Sequence, residues 1–129
     1  MANRVNMKNN FWKLRFGKMA EQHAMQYLKK SGYWIKHKNY RTKLGEIDLI
    51  ATKGEALIFV EVKALSQSEY FAPEDHFNWK KRKKQILLGK YYLSTLKHEY
   101  YVRFDLITVV KKEHDYFIQH HENVIQEDT

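Results

Sequence analysis

Twenty residues, GEIDLIATKGEALIFVEVKA from Gly45 to Ala64, constrain the fold more than any other part of the chain. Two apolar runs, EIDLIAT and ALIFVEVKA, are joined at Lys53-Gly54-Glu55, which reads as a hairpin turn. The second run is continuously apolar, which predicts a strand covered on both faces and central in its sheet. The same strands nevertheless carry Glu46, Asp48, Glu61 and Lys63. An unpaired charge in a core costs several kcal/mol or more, so such groups are normally paired, bound to metal or lining a cleft.

The flanking sequence supplies the rest of one α/β domain. Residues 11–30 are amphipathic, with Leu14, Met19 or Ala20, Ala24, Tyr27 and Leu28 as the apolar stripe and Ser31-Gly32 as the stop. YWIKHKNY alternates and predicts a half-buried first strand. SQSEYFAPEDHFN, with the single proline, predicts a loop. A second helix is expected from about Glu74 to Leu96, with Ile86, Gly89, Leu93 and Leu96 facing the core. VRFDLITVV and HDYFIQHH predict two further strands. The expected fold is a mixed sheet flanked by helices in the order αβββαβ plus a last strand. It forms a single domain over 1–129, with its core at about 11–119.

A chain of 129 residues suits one domain with its own core. It has no apolar run long enough to span a membrane, and its N-terminus does not read as a secretory signal. The absence of cysteine excludes disulfides and thiolate metal sites and fits a cytoplasmic protein. The formal net charge of +8 favours a polyanionic partner, nucleic acid before an anionic membrane. The charge is unevenly placed, with KKRKK at 80–84. A helix spreads five consecutive residues around its circumference. Lys80, Lys84 and Lys83 are the expected phosphate-facing set, the other two are expected to be solvated, and Arg41 and Lys43 extend the surface.

Side-chain alternation places Glu61 and Lys63 on one strand face and Ile58, Val60 and Val62 on the other. On the preceding strand it places Glu46 with Asp48, and Ile47 with Leu49. The hairpin brings Asp48 beside Phe59 to Glu61, so Asp48 and Glu61 are expected to converge. Two close carboxylates repel unless a cation lies between them. Mg²⁺, or Mn²⁺, suits such a site because it takes oxygen ligands and commonly bridges one or two carboxylates to phosphate. Lys63 would then orient or deprotonate the attacking water, or stabilise charge at phosphorus. The competing interpretation is a cross-strand salt bridge between Lys63 and Asp48 or Glu61.

Asp48 followed at hairpin distance by Glu61-Val62-Lys63 resembles the D…E-x-K signature of the PD-(D/E)XK nuclease superfamily. The longer string NYRTKLGEIDLIA at 39–51 resembles the YraN-like family within it. So do FVEVK at 59–63, Lys84, Tyr92-Leu93 and RFDLI at 103–107. The resemblance covers roughly residues 15–110. It implies a restriction-endonuclease-like core and similarity to archaeal Holliday-junction resolvases. It further implies a fourth acid on the first helix, which falls on Glu21. The family usually has G-x-x-G-E there, and this chain has Ala20 at the second glycine. Glu46 also matches and is read as supporting the site or the fold.

The expected activity is therefore Mg²⁺-dependent hydrolysis of DNA, with branched or flap forms as candidate substrates in repair or recombination. Asp48 and Glu61 are the expected metal ligands, Lys63 positions the nucleophile and Glu21 is an outer ligand. Action on symmetric junctions would call for a homodimer. The alternative function is a nucleic-acid-binding module that keeps the core without cutting. Tyr33, Trp34, Tyr40, Phe59 and Phe104 are expected to pack in the core or on the sheet. Tyr70, Phe71, Phe77 and Trp79 are candidates for base stacking or for an apolar patch. The seven histidines show no ligand spacing, and Arg103 and Asp105 are expected to support the sheet edge.

Overall fold

The computed structural model describes residues 2–66 and 79–125, with side chains for 14–66 and 80–125. Its elements are α1 (Ala2–Lys30), β1 (Trp34–Thr42), β2 (Gly45–Lys53), β3 (Ala56–Ser66), α2 (Trp79–Ser94), β4 (Tyr101–Lys112) and β5 (Asp115–His121). The five strands form one sheet in the order β1-β2-β3-β4-β5. All neighbours are antiparallel except β3 and β4. A parallel pair needs a crossover connection, and α2 lies within it. The result is the expected αβββαβ, restriction-endonuclease-like arrangement, with β3 central and β5 added at one edge.

The described helices α1 and α2 cover opposite faces of the sheet. Ala20, Ala24 and Leu28 recur every four residues on α1, are fully buried, and pack on Leu49, Ala51, Ile58 and Val60. Leu14, expected in this stripe, is 67% exposed and lies off it. The helix closes as the stop signal predicts. Gly32 adopts a left-handed φ of 91°, and Tyr33 N–H donates to the Leu28 carbonyl in a Schellman cap.

On the other face, Leu88 and Tyr92 of α2 pack against Ile47, Ile50, Leu57 and Phe59. Of the expected stripe, Gly89, Leu93 and Leu96 do face the sheet, while Leu88 and Tyr92 form its buried centre and Ile86 is not part of the cluster. Gly89 has a steric reason. A Cβ there would sit 2.9 Å from Phe104 and 3.1 Å from Phe59, so the helix reaches the sheet only where a side chain is missing. Trp34 is 75% exposed at the start of edge strand β1 and is not a core residue. The expected helical start near Glu74, the proline loop and the aromatics Tyr70, Phe71 and Phe77 fall outside the described residues, as does the Trp79 side chain.

The β1–β2 ladder shifts register between Ile35 and His37, and the pleat breaks again further along. Strict alternation would put Ile47 with Leu49, yet Ile47 packs on the α2 side and Leu49 on the α1 side. On β1, Lys38 pairs with Leu49 and Tyr40 with Ile47, and the residue between them, Asn39, has a φ of 53°. Asparagine tolerates this left-handed conformation better than most L residues. Pairing of β2 with β3 also ends at Leu49–Val60. Asp48 therefore sits where the alternation slips and the two strands part.

Candidate functional site

Asp48 fills the gap left by the parted strands. Its Oδ2 accepts a 2.8 Å hydrogen bond from Val62 N–H. The slip at Asn39 and Asp48 also brings Glu46 toward the first helix. Carboxylate oxygens of Glu21, Glu46 and Asp48 all lie within 4.8 Å of one another. Glu21 is carried there by α1, one residue beyond the buried Ala20, and the nearby Asn39 side chain favours its charged form. Glu46 accepts a 2.9 Å bond from Arg41 Nε–H. Asn39 thus both turns the strand and favours the charge of one of the acids.

The electrostatics reflect this crowding. Burial, followed by the charges of Glu61, Glu21 and Glu46, pushes Asp48 up to about 7 against the opposing Val62 hydrogen bond. Glu21 is also raised, by burial and by Glu46, while Asn39, Arg41 and Lys38 oppose the rise. Carboxylates in this state are short of positive charge. Three oxygen donors with this spacing suit a hard divalent cation such as Mg²⁺ or Mn²⁺.

Glu61 lies near enough for its charge to act on Asp48, but its own Oε1 is 2.8 Å from the Lys81 ammonium. Lys81, expected to be solvated, is a partner of this acid. Lys63 is two residues beyond Glu61 on the same strand face and pairs with Thr108 of β4. Val62 and Ala64 go the other way, toward α1, as alternation predicts. Of the expected residues, the fold brings Glu21 and Asp48 together, adds Glu46 as the third carboxylate, and keeps Glu61 close enough to act on Asp48, with Lys63 two residues further along its strand.

Basic residues surround the acids. Lys80, Lys81 and Lys84 line a hollow of about 470 Å³ with Gly45, Glu46, Gln85 and Leu88. Gln85 anchors it by donating to the Glu46 carbonyl at 3.4 Å. Lys83 is exposed and is not among the residues lining it. Arg41 and Lys43 line a neighbouring hollow of about 420 Å³ with Tyr40, Thr42, Leu44 and Tyr91. Arg41 is also committed to Glu46.

Away from these acids, Asp105 is fully buried and accepts from Arg103 Nε–H at 2.9 Å and Asn123 N–H at 2.9 Å. His120 Nε2 is 2.7 Å from Asp105, and its Nδ1 is 3.0 Å from the Tyr27 hydroxyl. Arg103 also donates to the Tyr33 hydroxyl at 2.6 Å. This network ties α1, the turn before β1, β4, β5 and the C-terminal segment together. It extends the supporting role expected for Arg103 and Asp105, and it accounts for His120 without a metal.

A restriction-endonuclease-like sheet with acids gathered where its second and third strands part defines the class of this molecule. The comparisons with known proteins give its family. Residues 20–109 match the uncharacterised protein family UPF0102, and the chain belongs to it. A UPF0102 protein of Thermodesulfovibrio yellowstonii is 41% identical over 86% of this chain and 96% of its own. Relatives from Alkaliphilus oremlandii and Bacteroides fragilis are 39% and 35% identical. They cover 84% and 81% of this chain, and 96% and 86% of their own. This is the YraN-like family that the NYRTKLGEIDLIA string indicates.

Proposed function

We propose that this protein is a metal-dependent endodeoxyribonuclease. The observation that carries the reading is the meeting of Glu21, Glu46 and Asp48 within 4.8 Å beside a lysine-lined hollow. In this reading Glu21, Glu46 and Asp48 hold one Mg²⁺ or Mn²⁺, with Glu61 as a further ligand. The ion supplies neutralisation of charge developing at phosphorus and activation of water. Asp48 would hold the ion as a carboxylate, its proton released to solvent. Lys63 positions the attacking water and balances charge on the phosphate. Lys80, Lys83 and Lys84, with Arg41 and Lys43, hold the DNA backbone. Branched or flap DNA is the proposed substrate class, repair or recombination the proposed setting, and the cytoplasm the proposed location. A homodimer would supply the paired sites that cutting a symmetric junction needs. No helix among the described residues is long and apolar enough to cross a membrane.

The test is cleavage of labelled four-way junction, flap, single-stranded and duplex DNA with Mg²⁺, Mn²⁺ or EDTA. Wild type is expected to cut with metal only. Asp48→Asn and Lys63→Ala are expected to reduce the rate at least about a hundredfold, the scale on which a positioned catalytic group acts. DNA binding without cutting under every metal condition would leave a binding module that retains the nuclease core.

A further inference from the structure

The carboxylates have a second basic flank, on the side away from α2. A hollow of about 250 Å³ lies between α1 and β1, lined by Lys18, Glu21, Gln22, Met25, Lys38, Asn39 and Leu49. Lys18 precedes Glu21 by one helical turn, so both lie on one face of α1. Lys38 pairs directly with Leu49 across the two strands, and directly opposed residues share a face. Leu49 packs on the α1 side, so Lys38 points there too. Two ammonium groups therefore share this hollow with one carboxylate of the acidic trio.

The two hollows meet at the acids. Glu21 lines the first, and Glu46 lines the one bounded by Lys80, Lys81 and Lys84. From Leu49 to Glu46 is three residues of strand, roughly 10 Å at about 3.3 Å per residue. That matches the axial length of roughly three nucleotides at about 3.4 Å each.

We propose that Lys18 and Lys38 form a second phosphate-binding subsite. A DNA strand drawn over the carboxylates is then held on the α1 side as well as the α2 side. The inference rests on the nuclease reading and adds the path of the substrate through the site. The strand saddles the rim of the sheet, with the phosphate to be cut between two backbone contacts.

The test uses binding alone. Affinity of the full chain for a labelled single-stranded oligonucleotide is measured against salt concentration in EDTA. Wild type is compared with Lys18→Gln/Lys38→Gln, Lys80→Gln/Lys84→Gln and Lys29→Gln/Lys30→Gln. The last pair is exposed at the far end of α1 and controls for net charge. One phosphate contact contributes a log–log slope of about −0.7 on a single strand, so the Lys18/Lys38 variant is expected to lose about 1.4. The Lys29/Lys30 control is expected to keep the wild-type slope.

An unchanged slope in Lys18→Gln/Lys38→Gln, with a reduced one in Lys80→Gln/Lys84→Gln, overturns the subsite and leaves the nuclease reading standing. An equal loss in the Lys29/Lys30 control overturns it as well, because net charge alone then explains the change. Wild type that binds no DNA overturns the nuclease reading itself.

Discussion

At the scale of single residues, Asp48 carries the account. Its folded pKa of about 7 lies above the ordinary carboxylate value of 3.8. Between these limits the folded protein keeps a proton that the unfolded chain has lost. The metal-free protein should therefore lose stability as pH rises from about 4 to 7, by at most about 4 kcal/mol at ~1.4 kcal/mol per pH unit. Asp48→Asn keeps an oxygen for the Val62 hydrogen bond and removes the uncompensated charge. In EDTA at pH 8 it should be more stable than wild type by about 1–3 kcal/mol, as read by urea unfolding. A variant no more stable than wild type would mean that the acids are already compensated within the protein. The shared strand face of Glu61 and Lys63 was legible in the sequence because side-chain alternation is local. Glu46 was not legible as a third carboxylate. Its position depends on the left-handed Asn39, which reverses the pleat and which no periodicity marks.

At the scale of elements, the helices were legible and their rotations less so. The α1 stripe follows from the four-residue spacing of Ala20, Ala24 and Leu28. For α2, the lysine run and the mixed apolar residues do not select one face, and tertiary packing chose Leu88 and Tyr92. With Leu88 at the buried centre, Lys81 two turns earlier is brought onto Glu61, where a solvated side chain was expected. The close approach of α2 to the sheet makes a definite prediction. Gly89→Ala should destabilise the protein by about 1–3 kcal/mol through overpacking against Phe104 and Phe59. The helix-propensity gain of about 1 kcal/mol offsets only part of this. The two rings are already stacked with centroids 5.1 Å apart and have little room to move. Unfolding by urea checks it, and a stabilised variant would contradict the packing.

At the scale of the whole molecule, the sheet is closed at its β5 end by the Asp105 network. Burial alone would raise this carboxyl, but His120, Arg103 and the Asn123 N–H hold it below its ordinary value. The stability it contributes is present above the unfolded value of 3.8 and is lost as pH falls through the lower folded value. Asp105→Ala would leave Arg103 without its buried partner and should cost about 3–5 kcal/mol, seen as a lowered Tm. Only part of this was legible, because contacts from Tyr27, Tyr33 and Asn123 cross the whole chain. Fold order and strand pairing followed from local patterns, whereas the arrangement of charges depended on where distant elements meet.

The measurement that tests the central claim most directly is a Mn²⁺ titration followed by loss of the free-ion EPR signal. The account predicts one Mn²⁺ per chain in wild type. Binding should weaken at least about tenfold in Glu46→Gln, in line with the loss of one charged ligand, and should be absent in Asp48→Asn. Wild type that binds no Mn²⁺, or variants that bind it as wild type does, would contradict Glu21, Glu46 and Asp48 as a metal site.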